Sequence, residues 1–128
     1  MDVLEAIRTT RAMRRLDPDQ PVTADHLGEA PALILVTAGG RRGAVESSVY
    51  PGVQNLMLAA RSLGLGTTLT TIHQEREQEV KDLLGIPADQ QTFALIPVGH
   101  PLGRWGEAKR RPVAEVAHWD RWGNPPPG

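Results

Sequence analysis

The sequence predicts an α+β fold, in which a sheet is flanked by helices. Two continuously apolar runs, ALILVTA at 32–38 and FALIPV at 93–98, are typical of buried strands. Amphipathic segments alternate with them, which favours a sheet covered on both faces. Three strands and three helices make a thin domain for a chain of 128 residues, and dimerisation would give it a larger core.

The first helix is predicted over residues 2–15. Val3, Leu4 and Ile7 form its apolar stripe, and arginines occupy the other side. The prolines of DPDQP at 17–21 end it, because proline cannot continue the helical hydrogen-bond ladder.

A second helix is predicted at 53–63, after the loop GGRRGAVESS. It ends at Gly64, a residue that tolerates the left-handed conformation of a helix C-terminus. A threonine-rich strand is predicted at 67–72, since β-branched residues suit strands. The apolar face of the helix consists of Val53, Leu56, Met57, Ala60 and Leu63.

The third helix is predicted at 73–84 and ends at Gly85. After the strand at 93–98 the chain is polar and carries Trp105, Trp119 and Trp122. We expect residues 1–112 to form the domain. Residues 113–128 would form an extended C-terminal arm that packs on its own body or on a partner.

Composition limits the classes of function. A formal charge of −1 and a pI near 6.4 argue against nucleic-acid binding, so a small basic-helix module is a weak alternative. The absence of cysteine excludes disulfides and thiolate metal sites. No apolar run approaches the roughly 20 residues of a membrane span, and the N-terminus lacks a secretory h-region. We therefore expect a cytoplasmic protein without membrane contact.

Side-chain catalytic motifs are missing from the sequence. It contains no G-x-S-x-G and no Ser-His-Asp signature. The GGRRG loop at 39–43 has the composition of an anion-binding loop, but it lacks the P-loop lysine, and a flexible turn is favoured. No metal site is expected, because the histidines are scattered at His26, His73, His100 and His118.

Two basic clusters lie far apart in the sequence. The first consists of Arg8, Arg11, Arg14 and Arg15. The second consists of Lys109, Arg110 and Arg111. Several cationic side chains from different segments hold a phosphate well. On spacing alone, however, two solvated basic faces explain the clusters better.

Four blocks of sequence together carry a family resemblance. The first block is VLEAIRTTRAMRRLDPD, which contains an Arg-x-x-Arg motif, and the second is APALILVTA. The third block is SSVYPGVQNLMLAARSLGLGTTLTT, and the fourth is LLGIP followed by FALIPVGHPLGRWGEAKRRPVAEV. In this order, and over most of the chain, they resemble the nitroreductase family of flavin mononucleotide (FMN) oxidoreductases. The resemblance implies the family's mixed sheet, a dimer with a C-terminal arm, and FMN as the cofactor.

The N-terminal block matches part of the family's flavin site. The resemblance implies that Arg11 holds phosphate or ribityl oxygens and that Arg14 lies near N1 and O2 of the flavin. A cation there favours negative charge on the ring. Thr10 and Ala12 stand where many members have arginine and serine, so some polar contacts are weaker here than in those members.

The remaining cofactor-binding positions come from two other blocks. Lys109 and Arg111 match the C-terminal pair that grips the phosphate. Leu69, Thr70 and Thr71 match the strand end whose backbone approaches the reactive edge of the flavin. No side chain is assigned a catalytic role, because the cofactor carries the hydride chemistry.

The resemblance implies ping-pong chemistry. NADPH or NADH reduces FMN, and the flavin then reduces a nitroaromatic, a quinone or a similar small-molecule electron acceptor. The family's active site is built at a homodimer interface, where each flavin touches both chains.

One family segment is absent from the sequence. Members carry a Pro-Ser-x-x-Asn-x-Gln-Pro-Trp loop between the first helix and the first strand, and its Asn and Gln hold the flavin ring. Here only VTADHLGEA separates Pro21 from Pro31. The chain resembles an internally shortened, incomplete member, or one from which a segment has been omitted. The alternative function is a non-catalytic relative that serves as a flavin-binding or dimerisation remnant.

Overall fold

The structure is a computed structural model that describes residues 1–9, 13 and 32–127. Its helices are α1 (Val3–Thr9), α2 (Glu46–Ser62) and α3 (Glu77–Leu84), and its strands are β1 (Ala32–Gly39), β2 (Gly66–Thr67) and β3 (Gln90–Gly99). Short 3₁₀ turns occur at Ile72–Arg76 and Val113–Glu115. The predicted α+β class is confirmed.

The strand order in the described sheet is β1–β3–β2. β1 runs antiparallel to β3, from Ala32 opposite Val98 to Gly39 opposite Gln90. β2 also pairs antiparallel with β3. Because β3 has a neighbour on each side, it carries the most deeply buried side chains of the sheet.

The first helix is shorter than predicted. It ends at Thr9, and Met13 is not helical. The Met13 amide donates instead to the carbonyl of Thr67 at 2.9 Å, so a tertiary contact replaces the helical hydrogen bond. The other positions of the predicted 2–15 helix beyond Thr9 lie outside the described residues.

Helix α2 covers one face of the sheet. Val53 and Ala60 are buried, and Leu56 and Met57 pack against the same core. The predicted stripe was wrong only at Leu63, which is 45% exposed because it follows the last helical residue. The stripe meets the inward side chains Ile34, Val36, Ala94, Ile96 and Val98.

Helix α2 also begins earlier than predicted, at Glu46 instead of residue 53. Pro51 and Gly52 look like a helix boundary in the sequence, yet both lie within the helix. Proline at this position forfeits a single intrahelical bond, and the packing of a 17-residue helix on the sheet outweighs that loss.

The strand predicted at 67–72 is mostly wrong. Beyond Thr67, which faces Val98, pairing resumes only as an isolated bridge between Thr70 and Leu95. That register places Pro97 opposite position 68, and proline has no amide hydrogen to donate to the ladder. The interruption therefore comes from a residue about 30 positions away in the sequence, beyond the reach of a local pattern.

The third helix has a different start from the predicted 73–84. Ile72–Arg76 is a 3₁₀ turn, and α3 begins at Glu77. Its end is as predicted, since Gly85 adopts the left-handed conformation with φ of 65°. None of the described helices combines the length and apolar character needed to cross a membrane.

The sheet is not covered on both faces along its whole described length, as the apolar runs had suggested. Leu33 of β1 is 67% exposed, whereas the neighbouring Ile34 packs against the core beneath α2. The run ALILVTA thus contains one core face and one exposed face, which a continuous apolar pattern conceals.

The glycine-rich loop forms a turn, as favoured from its sequence. The Gly43 amide donates to both carboxylate oxygens of Glu46 at 2.7 Å, and this contact lowers the pKa of Glu46. Arg42 donates to the carboxylate of Glu77 at 2.9 and 3.0 Å. The chain's own carboxylates therefore occupy the Gly43 amide and the Arg42 guanidinium, two of the donors that could bind an external anion.

Glu77 is the centre of a partly buried polar network. Burial alone would raise the pKa of its carboxyl, but hydrogen bonds from the Thr92 amide and hydroxyl, together with Arg42, lower it overall. Gln74 donates to the carbonyl of Thr92 at 2.9 Å. The network ties the 3₁₀ turn and α3 to the central strand.

His73 is buried beside this network, and neither ring nitrogen has a hydrogen-bond partner among the described residues. Burial lowers the pKa of His73 from its ordinary value of 6.5, the Glu77 carboxylate opposes that shift, and Arg42 adds to it. As pH falls below 6.5, His73 therefore binds a proton more readily in the unfolded chain than in the folded chain.

We expect the free energy of unfolding to decrease as pH falls from 7 through the lowered pKa of His73. Urea titrations between pH 7 and 5 test this. His73→Leu should flatten the pH dependence in this window, whereas His118→Gln, a change at an exposed histidine, should retain it. An unchanged slope in His73→Leu would contradict the assignment.

Candidate functional site

The structure brings the strand end, the N-terminal motif and the C-terminal segment together. Met13, the described residue of the Arg-x-x-Arg motif, is buried and is held by the strand-end segment (residues 67–71). Its amide donates to the Thr67 carbonyl, and its own carbonyl accepts from the Thr68 hydroxyl, both at 2.9 Å. A Cβ added to Gly103 would lie 3.9 Å from the Met13 sulfur.

Three predicted site residues lie outside the described residues: Arg11, Ala12 and Arg14. Their roles remain predictions. The contacts of Met13 show that the motif's backbone reaches the strand-end segment at this position.

The strand-end residues differ in how their backbone is used. The Thr70 amide donates to the Leu95 carbonyl at 3.0 Å, and the Leu95 amide donates to the Thr70 carbonyl at 2.9 Å. The Thr71 carbonyl accepts from Gln74 at 2.9 Å. Within the described part of the chain, the amides of Leu69 and Thr71 have no partner, and both residues are exposed. Among the three predicted strand-end residues, Leu69 and Thr71 therefore have unbonded amides in the described structure, whereas the amide of Thr70 is used within the sheet.

The basic segment (residues 107–111) docks on the C-terminal end of α1. The Ala108 amide donates to the Arg8 carbonyl at 3.2 Å, and the Arg110 guanidinium donates to the Ile7 carbonyl at 3.4 and 3.5 Å. A helix C-terminus leaves its last carbonyls without partners, and cations are favoured there. Sequence distance hides this contact, although both clusters were visible in the sequence.

A groove of about 510 Å³ opens between the basic segment and α1. It is lined by Arg8, Glu107, Ala108, Lys109 and Arg110. Three cations face one carboxylate there, so the groove is electropositive. The ion pair between Arg8 and Glu107 spans 3.7 Å, and its side chains are 72% and 78% exposed, which makes it weak.

Only one residue of the predicted phosphate pair lines this groove. Lys109 does so, whereas Arg111 lies two positions further along, is exposed and is absent from the groove's lining. Neither side chain has a hydrogen bond or ion pair within the part of the chain that the structure describes. Their charge is available to an anion, so this donor set fits the phosphate of FMN.

Sequence reasoning missed Arg61 and its contact with Trp105. Arg61, in the last turn of α2, is only 7% exposed, and its guanidinium carbon lies 3.8 Å from the centroid of the Trp105 ring. A signal was present, because Arg61 follows Met57 by four positions and Val53 by eight on the apolar stripe. An arginine on a core-facing stripe requires a partner for its charge.

No cluster of three or more His, Asp or Glu side chains that could hold a metal ion occurs among residues 1–9, 13 and 32–127.

Comparison with known proteins identifies the family. The model of the nitroreductase family matches residues 2–100, and the chain belongs to that family. A protein of Archaeoglobus fulgidus assigned as an NADH dehydrogenase/NAD(P)H nitroreductase is 32% identical over 73 residues, which are 54% of this chain and 42% of that protein. The chain therefore matches less than half the length of this curated relative.

Solved structures show the same fold. A protein of Parabacteroides distasonis with the same assigned name superposes with a TM-score of 0.72 at 20% identity, covering 94% of this chain and 98% of that one. A protein of Desulfovibrio desulfuricans assigned as a nitroreductase was solved in complex with FMN. It superposes with a TM-score of 0.73 at 20% identity, and the match covers 95% of this chain and 98% of that one. The predicted nitroreductase-like fold is confirmed.

Proposed function

We propose that this chain is an FMN-dependent NAD(P)H oxidoreductase that reduces nitroaromatics, quinones or similar small acceptors. The observation that carries the proposal is the electropositive groove between α1 and the basic segment, in a chain of the nitroreductase family. The FMN complex of the Desulfovibrio protein, which shares this fold, supports the choice of cofactor.

The chain's own residues would bind and orient the cofactor. Lys109 and Arg111 would hold the phosphate with charge-assisted hydrogen bonds. Arg11 would share that role, and Arg14 would lie near N1 and O2 of the ring. The exposed backbone at Leu69 and Thr71 would face the flavin's reactive edge.

Bound FMN would supply the hydride chemistry, taking a hydride from NADPH or NADH and passing it to the acceptor. The protein then needs no nucleophile or metal. Its contribution is to retain the cofactor, to place cations near it and to leave one edge open to the nicotinamide and to the acceptor.

A homodimer is part of the proposal. Trp119 is 58% exposed and Trp122 is 90% exposed. Among the described residues, the backbone hydrogen bonds of the arm join residues 112–124 to one another. The rings of His118 and Trp122 contact each other at an interplanar angle of 53°, with centroids 4.2 Å apart, so this ring contact lies within the arm. A second copy of the chain would cover this apolar surface.

The deciding experiment is a visible spectrum of the purified chain after incubation with FMN and gel filtration. We expect retained flavin absorption, a sedimentation mass of two chains, and NADPH or NADH oxidation when a quinone or nitroaromatic is added. A colourless protein that fails to retain FMN would contradict the proposal.

Retained FMN without nicotinamide oxidation would favour the alternative, a flavin-binding or dimerisation remnant. The short connection between Pro21 and Pro31, without the family's Asn and Gln loop, is the feature of the sequence that favours this alternative.

A further inference from the structure

We propose that Arg61 is a positioning residue that holds the basic segment, which carries the predicted phosphate ligands Lys109 and Arg111, at the end of α1 through Thr9 and Trp105. The inference rests on the proposed function and extends it to a residue outside the groove. Arg61 is absent from the groove's lining, so its effect on the cofactor would pass through other residues.

Arg61 contacts two segments at once. Its Nη2 donates to the Thr9 hydroxyl at 3.1 Å, and the Thr9 hydroxyl in turn donates to the Glu5 carbonyl at 2.8 Å. The guanidinium carbon of Arg61 lies over the Trp105 ring, 3.8 Å from its centroid. One side chain of α2 thus links the end of α1 to the C-terminal segment.

The C-terminal segment that Arg61 contacts leads directly to predicted phosphate ligands, since Trp105 lies four positions before Lys109. The basic segment is also fixed to α1, by the Ala108 amide at the Arg8 carbonyl and by Arg110 at the Ile7 carbonyl. A shift of Trp105 would therefore be passed to the basic segment.

The contact requires an arginine. A guanidinium can stack its face on an indole while its edge donates a hydrogen bond, whereas the compact ammonium of lysine cannot do both in one plane. Arg61 is only 7% exposed, and this burial lowers the pKa of its guanidinium while the Glu5 carboxylate opposes that shift. Its Nε has no partner in the described residues, so the Thr9 and Trp105 contacts carry its stabilisation.

The test compares FMN with riboflavin, which lacks the phosphate. In Arg61→Lys, we expect FMN affinity to fall about tenfold, as one stacked cationic contact is lost, while riboflavin affinity changes less than about twofold. Trp105→Leu should behave similarly, and Trp105→Phe, which keeps an aromatic face, should restore part of the difference. The matched control is Arg76→Lys, because Arg76 is an exposed arginine paired only with Glu79 among the described residues.

A second readout needs no flavin. Trypsin cleaves after Lys109 and Arg110, and Arg111 is protected by Pro112. Loss of the Arg61 contact should speed cleavage at these two bonds several-fold relative to Arg76→Lys, at equal thermal stability. If Arg61→Lys fails to fold, the comparison of Trp105→Leu with Trp105→Phe decides.

The outcomes separate this inference from the proposed function. A wild-type chain that binds no FMN would refute the proposed function, while trypsin would still report whether Arg61 holds the basic segment. If the wild type prefers FMN, but the Arg61 and Trp105 variants keep both that preference and the wild-type cleavage rate, the positioning role is overturned.

Discussion

Replacing Lys109 and Arg111 together by glutamate is expected to abolish FMN retention. Each side chain is exposed, and neither is paired within the described residues, so the native fold loses little from the change. A hydrogen bond to a charged group contributes about 1.5–3 kcal/mol, so the loss of two should weaken binding at least about 100-fold. Repulsion between glutamate and phosphate adds to the loss. Quenching of flavin fluorescence during titration measures the affinity.

The control for this double variant is Arg41→Glu, a charge reversal at an exposed arginine of the glycine-rich loop. It should leave FMN affinity within about twofold of the wild type, as expected for an exposed charge with no ligand contact. Glutamine at positions 109 and 111 should give an intermediate loss, and riboflavin affinity should be insensitive to all three variants. Equal FMN affinity for the double glutamate variant and the wild type would remove the basic segment from the site.

Local patterns predicted much of the fold. The apolar stripe of α2 follows from spacing, and four of its five residues contact the core or are buried in it. The start of α2 does not follow from spacing, because Pro51 is a helix breaker by propensity and is tolerated only through tertiary packing. Similarly, β2 ends at Thr67 because Pro97 of another strand stands opposite the next position, 68.

The family motifs and the two basic clusters predict a phosphate site, and that chemistry stays a prediction. The geometry of the candidate site does not follow from the sequence, because the structure docks the second cluster on α1. The choice among the strand-end amides could not be predicted, since it depends on the Thr70–Leu95 bridge. The stacking of Arg61 on Trp105 joins residues 44 positions apart, and only the misplaced charge on an apolar stripe hinted at it.

These differences have one physical origin. Periodicity reports which face of an element is apolar, whereas proline pairing, cation stacking and helix-end capping depend on which distant segment arrives there. In this chain the contacts of Arg61 and of the basic segment, but not the proline pairing, converge on the end of α1. The region that would hold the phosphate is therefore built from the least local contacts of the described structure.

The largest effect on stability is expected from Phe93→Ala. Phe93 has no exposed surface, and its ring meets Tyr50 edge to face, with centroids 6.4 Å apart and planes at 88°. The Arg42 guanidinium lies over the same ring at 5.2 Å. Removing the ring leaves a cavity in the central strand and exposes one face of a cation that also binds Glu77.

We expect Phe93→Ala to lower the free energy of unfolding by about 3–5 kcal/mol, the usual cost of truncating a buried aromatic residue. Since small domains have only about 5–15 kcal/mol in total, the variant should be close to unfolding at room temperature. Urea denaturation followed by circular dichroism measures the change. Leu83→Ala is the matched control, because Leu83 is 84% exposed and its truncation should change stability by less than about 0.5 kcal/mol. A loss of stability in Phe93→Ala alone would support the burial of this side chain in β3. Similar losses of stability in both variants would contradict it.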